Sequence, residues 1–128
     1  MVGVSIRSRQ PFIAALFISF LVIPKHGMGV ECQKANNSMV QGHVNQRSIQ
    51  TAIFFASWCR SCIEHMESFD PKQDIIILAF DTKDSGEEAL KSLGVSSTAT
   101  CFWDHQDSIV AHYQVRSLPA TRPAKLHK

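Results

Sequence analysis

Two short apolar runs with a helix-compatible stretch between them set the strongest limit on the fold. TAIFFAS (51–57) and DIIILAF (74–80) are continuous, rich in β-branched and aromatic residues, and short enough to be strands buried on both faces. Such strands need cover above and below. From Cys59 to about Phe69 nothing breaks a helix until Asp70-Pro71. SGEEALKSLG (85–94) reads as a second helix, with Ser85 as its cap, Glu87 and Glu88 in its first turn, Lys91 in its last and Gly94 as its stop. TATCFWD (98–104) is a third strand candidate. DSIVAHYQV (107–115) places Ile109, Val110 and Tyr113 at helical spacing. Strands that alternate with helices predict one α/β domain with a mostly parallel central sheet.

The N-terminal part reads differently. Arg7 and Arg9 precede the apolar run PFIAALFISFLVI (11–23), Pro24 ends it, and Gly27-Met28-Gly29 supplies small residues. That order is the one of a secretory signal, so residues 1–29 are expected to be a signal peptide or a signal anchor. The run is shorter than the roughly 20 residues of a comfortable bilayer span. Export, most simply to a bacterial periplasm, follows as the expectation, with the protein soluble or anchored through residues 11–23. Residues 30–48, with Asn36, Asn37, Gly42 and Asn45, read as an irregular polar lead-in. The domain proper is expected over 49–121, and 122–128 as a polar tail.

Charge follows the same division. Arg7, Arg9 and Lys25 lie in the first 29 residues without an acid, which leaves ten basic and eleven acidic residues in the remainder. The chain's positive balance thus belongs to the leader. No basic stripe with interleaved aromatics is present, so no nucleic-acid partner is implied.

The motif that carries chemistry is FFASWCRSCIEHM (54–66). A cysteine at a helix start faces unpaired N–H groups and the positive end of the helix dipole, and both stabilise the thiolate. Arg60 acts in the same direction. Cys62 lies one turn on and can attack a mixed disulfide formed by Cys59. Cys59 is therefore expected to be the exposed nucleophile and Cys62 the buried resolving thiol, joined as a Cys59–Cys62 disulfide in the oxidised state. A zinc reading needs two more ligands, and neither a second C-x-x-C nor an H-x₃₋₅-H is present; no metal or cofactor is expected. Cys32 and Cys101 stand apart in sequence. Cys101 reads as a small buried hydrophobe, with a pairing to Cys32 left open.

AIFFASWCRSC (52–62) and FWDHQDSIVAHYQVRSLPAT (102–121) resemble two segments of the thioredoxin superfamily, and within it the exported thiol:disulfide reductases of the TlpA, ResA and DsbE type. The resemblance covers about residues 50–121. It implies a thioredoxin-like fold and a cis Leu118–Pro119 bond. It also implies substrate contact at Trp58, Leu118 and Pro119, with protein thiols and disulfides as partners and a membrane electron donor as a further one. The chain departs from the family at three places near the motif. His65 stands where a Glu is common, and it could take the resolving thiol's proton, since imidazole titrates near neutrality. Glu67 replaces a helix-kinking proline, and Ile53 replaces a buried acid.

A larger departure follows Pro119. Thioredoxin folds continue with an antiparallel hairpin and a last helix, whereas the residues here are ATRPAKLHK. The expectation is a domain truncated after the proline, with strand 51–57 left as an unpaired apolar edge. A partner chain, a second copy or the 30–48 lead-in could complete the sheet instead.

Of the other candidates, Trp103 and Phe102 read as core, and Asp81, Asp84, Glu87 and Glu88 as helix-capping acids rather than a metal site. His43, His105 and His112 have no evident partner. The expected function is disulfide exchange with protein substrates. A non-catalytic binding module and a metal-handling protein using Cys59, Cys62 and His65 are the alternatives. The resemblance favours a reductant, while Arg60 favours an oxidant, because a stabilised thiolate makes the disulfide more oxidising.

Overall fold

The computed structural model describes residues 29–126; the expected signal segment lies, but for Gly29, outside the described residues. Elements alternate in the order β1 (Cys32–Ala35), α1 (Asn37–Arg47), β2 (Thr51–Phe55), α2 (Arg60–His65), β3 (Asp74–Leu78), α3 (Lys83–Ser92), β4 (Cys101–Asp104), α4 (Ser108–Tyr113) and β5 (Ala120–Pro123), with one 3-10 turn at Met66–Ser68. The five strands form one sheet in the order β1-β4-β3-β2-β5, and only β5 runs antiparallel. This is an α/β fold with a mostly parallel sheet.

The two apolar runs become β2 and β3, next to each other in register, Thr51 opposite Asp74 through Phe55 opposite Leu78. Alternation sends their side chains into two core layers. Ala52, Phe54, Ile75 and Ile77 meet Val40 and Val44 of α1 and Ile109 and Tyr113 of α4. Ile53, Phe55, Ile76 and Leu78 meet Cys62 of α2, Met66 and Leu90 of α3 on the other face. A Cβ on Gly86 would collide with the Leu78 side chain, so glycine lets α3 lie close on the sheet.

Two expectations about the ends of the domain are corrected. Residues 30–48 are not an irregular lead-in. They hold β1 and α1, the helix capped by the Asn36 side chain accepting from Met39 N–H at 3.0 Å. β1 lies at the far edge, beside β4, and does not pair with β2, while α1 packs on the face that holds Ala52 and Phe54. Nor is strand 51–57 an open edge. Residues 120–123, part of them assigned to the polar tail, pair antiparallel with β2, Phe54 opposite Ala120 through Thr51 opposite Pro123. Pro123 is tolerated because it sits on an edge strand. After Pro119 the described residues hold this one strand and no helix.

Several anchors hold the closing strand. Ala124 N–H donates to Gln50 O at 2.8 Å. The buried Tyr113 hydroxyl donates to Ala124 O at 2.5 Å and accepts from Gln41 Nε2 at 2.9 Å. Arg122 Nε donates to Tyr113 O at 3.2 Å.

Caps differ in detail from the sequence reading. Thr82, not Ser85, caps α3, its hydroxyl accepting from Ser85 N–H at 3.3 Å. Asp104, 3% exposed, spends both carboxylate oxygens on the N–H groups of Ile109 (3.1 Å) and Val110 (2.9 Å) at the start of α4.

Cys32 and Cys101 are directly opposite each other in β1 and β4 and form a disulfide, Cα to Cα 4.4 Å. Cys101 is therefore a bonded partner rather than a free hydrophobe. The pairing needs both strands in one register, which a separation of 69 residues hides from local reading.

Candidate functional site

β2 ends at Phe55, and the chain turns through Ala56, Ser57 and Trp58 into α2. The turn closes with Cys59 N–H donating to Ala56 O at 3.1 Å. Cys59 is the N-cap of α2 in an extended conformation (φ −94°, ψ 96°), and its Sγ accepts from Cys62 N–H at 3.2 Å. A polar atom at an N-cap satisfies an N–H that the helix leaves free. Here that atom is the sulfur of the expected nucleophile.

Cys59 and Cys62 are joined as a disulfide with Cα atoms 5.3 Å apart. Cys62 is 1% exposed and Cys59 6%. Both are therefore buried in the disulfide, and the expectation of an exposed Cys59 is corrected. In the disulfide it packs with Ala56, Phe55 and Met66 in the α2–α3 layer, and Leu118 lies against that layer. Trp58 is 61% exposed.

Two contacts from the turn after β3 fix the segment ahead of Cys59. Trp58 Nε1 donates to Phe80 O at 2.8 Å. Asp81 Oδ2 accepts from Ser57 N–H at 2.6 Å, while Oδ1 takes Thr82 N–H at 2.8 Å. Trp103 Nε1 donates to Asp81 O at 2.9 Å, so Trp103, half-buried against the α2–α3 layer, also braces this turn. Sequence reasoning missed Phe80 and the bracing role of Asp81. The signal was present, an acid placed immediately after a buried run, on the strand next to the one that feeds the motif.

The Leu118–Pro119 peptide is cis, and Leu118 packs against both core layers. Pro119 leads directly into β5, which pairs with the strand that carries the motif. His65 is not brought to the cysteines by any hydrogen bond. It is exposed at the last residue of α2 and lines an open cleft with Glu64, Ile53, Asp74 and Thr121. The acidic cluster is divided, Asp81 serving the motif turn and Glu87 accepting from Cys32 N–H at 2.6 Å while pairing with Lys83 at 3.0 Å. That bond to Glu87 raises the Lys83 pKa above its usual value. No group of three or more His, Cys, Asp or Glu is arranged to hold a metal among the described residues.

Chemically, the arrangement offers a two-cysteine couple at a strand–helix junction, braced from one side and bordered by an exposed indole. No family model matches the chain, and neither a curated protein nor a solved structure matches it.

Proposed function

We propose that the chain is an exported thiol:disulfide oxidoreductase of the thioredoxin type that exchanges disulfides with other proteins. The observation that carries this reading is the Cys59–Cys62 pair at the start of α2, with Cys59 Sγ on a helix N–H. The cis Leu118–Pro119 bond, which the family resemblance implied, supports it.

In the reducing direction, the Cys59 thiolate attacks one sulfur of a substrate disulfide and expels the other as a thiolate. The Cys62 thiolate then attacks Cys59 Sγ in the mixed disulfide and releases the second substrate thiol. The substrate gains two electrons and the protein becomes the Cys59–Cys62 disulfide. The oxidising direction is the reverse, and the partner's potential sets which one runs. Backbone N–H charge at Cys59 Sγ favours the thiolate form. The proton of Cys62 passes to His65, one turn on, or to water. Slower exchange in His65→Ala near neutral pH assigns it to His65, and unchanged rates assign it to water.

The test is a redox titration of the protein in glutathione buffers, followed by Trp58 fluorescence, with Cys59→Ser as control. A reversible two-electron transition absent in the control is the expected result. Its midpoint sorts reductant from oxidant on a scale from about −270 to about −120 mV. No transition in a folded protein would overturn the reading in favour of a binding module.

A further inference from the structure

Phe80 has a left-handed backbone, φ 58°. A bulky L-residue rarely adopts that conformation, and glycine adopts it freely. The phenyl ring is not drawn into the core in exchange, since Phe80 stays 39% exposed and belongs to neither core layer. Strained, exposed aromatic residues are held by their surroundings and concentrate at binding sites. Here the surroundings are the indole of Trp58 on the Phe80 carbonyl and the Asp81 bonds to Ser57 and Thr82. Phe80 is thereby fixed beside Trp58, 61% exposed, at the carboxyl ends of β2 and β3. That is the end of an open α/β sheet where ligands bind.

Charge adds a second feature. Arg60, adjacent to Cys59, is exposed and has no ion-pair partner among the described residues. The acid of the bracing turn, Asp81, is already committed to two backbone N–H groups.

We infer that Phe80, with Trp58, is the specificity-determining subsite of the proposed exchange reaction. It selects an extended protein segment with a bulky apolar side chain beside its reactive cysteine and a carboxylate within reach of Arg60. The inference rests on the oxidoreductase reading. The apolar neighbour covers the two rings and removes them from water, while the carboxylate answers the unpaired guanidinium.

The test uses reduced protein and short blocked peptides whose single cysteine is a mixed disulfide with glutathione. Each turnover yields the Cys59–Cys62 disulfide, free peptide thiol and glutathione, so two electrons leave the protein. Three peptides are compared: one with Leu before and Glu after the cysteine, one with Ser replacing Leu, and one with Lys replacing Glu. The second-order rate constant for oxidation of the reduced protein is expected to fall about tenfold for the Ser peptide and about threefold for the Lys peptide, the latter difference shrinking in high salt. The ratio between peptides is read within each variant, so a general loss of rate cancels. In Phe80→Gly the Leu-to-Ser ratio should fall to about twofold or less, although glycine relaxes the left-handed turn and the variant should resist urea at least as well. Phe80→Leu should restore most of the ratio. A tenfold ratio kept in Phe80→Gly overturns the inference, as does equal reactivity of the three peptides with the wild type. Failure of the wild type to react even with oxidised glutathione overturns the oxidoreductase reading beneath it.

Discussion

The two disulfides lie in the same core layer and do different things. Cys32–Cys101 joins opposed residues of paired strands, with cysteines 0% and 3% exposed, across 69 residues of chain. Cys59–Cys62 spans 3 residues at a loop–helix junction, with cysteines 6% and 1% exposed. In the chain-entropy account the first restrains the unfolded chain by about 4 kcal/mol and the second by about half as much. A row of register neighbours, Cys32, Cys101, Ile76, Ile53 and Thr121, crosses the whole sheet beneath them. One pair is thus a staple for the β1 edge, while the other can open without releasing any element of the sheet. The lesson is that the same bond, in the same layer, ties distant strands together or leaves the sheet's pairing untouched according to the length of chain it closes.

The largest expected effect comes from removing the staple. Cys32→Ser with Cys101→Ser should lower stability by about 4 kcal/mol, read as a shift of about 2 M in the urea midpoint. Cys59→Ser with Cys62→Ser should cost less than half of that. Equal losses would dissolve the contrast. Next is the face on which both pairs pack. Gly86→Ala should destabilise by about 2 kcal/mol despite alanine's better helix propensity, because the new methyl meets Leu78. A smaller loss, about 1 to 2 kcal/mol, is expected for Tyr113→Phe, which leaves Ala124 O without its hydroxyl donor. That variant should also reduce the peptide-exchange rate if β5 holds Pro119 in place, a readout that loss of the staple would not share.

The smallest effect is a pH response near the staple. His43 lies edge-on to Phe102, with ring centroids 5.4 Å apart. Burial first, and Arg47 second, lower its pKa below the usual 6.5. The folded state therefore prefers the neutral ring. Its contribution is complete above 6.5 and is lost as pH falls through the lowered folded value. Melting temperatures between pH 5 and 7.5 should decline toward acid, and His43→Gln should flatten the curve there.

Much of this contrast was visible in the residues. The strand runs gave β2 and β3, and Trp-Cys-x-x-Cys gave the Cys59–Cys62 pair at the start of α2. The staple was not visible, because register between strands far apart in sequence leaves no local mark. α1 was hidden for a different reason: it buries only Val40 and Val44, and Asn, Gln, Ser and Gly along it read as loop. Arg122 and Pro123 looked like tail because four residues of edge strand carry almost no apolar signal, and only pairing with β2 gives them a role.

The register of Cys32 against Cys101 also governs the order in which bonds can form. Cys32 leaves the ribosome first, and Cys59 and Cys62 follow it before Cys101 does. Four cysteines allow three pairings, and two of them are wrong. Wherever the chain is oxidised as it emerges, an early crosslink of Cys32 to Cys59 or Cys62 must be undone before Cys32 can bond to Cys101. Cys59 and Cys62 are thus the first rivals for the cysteine that pins the β1 edge.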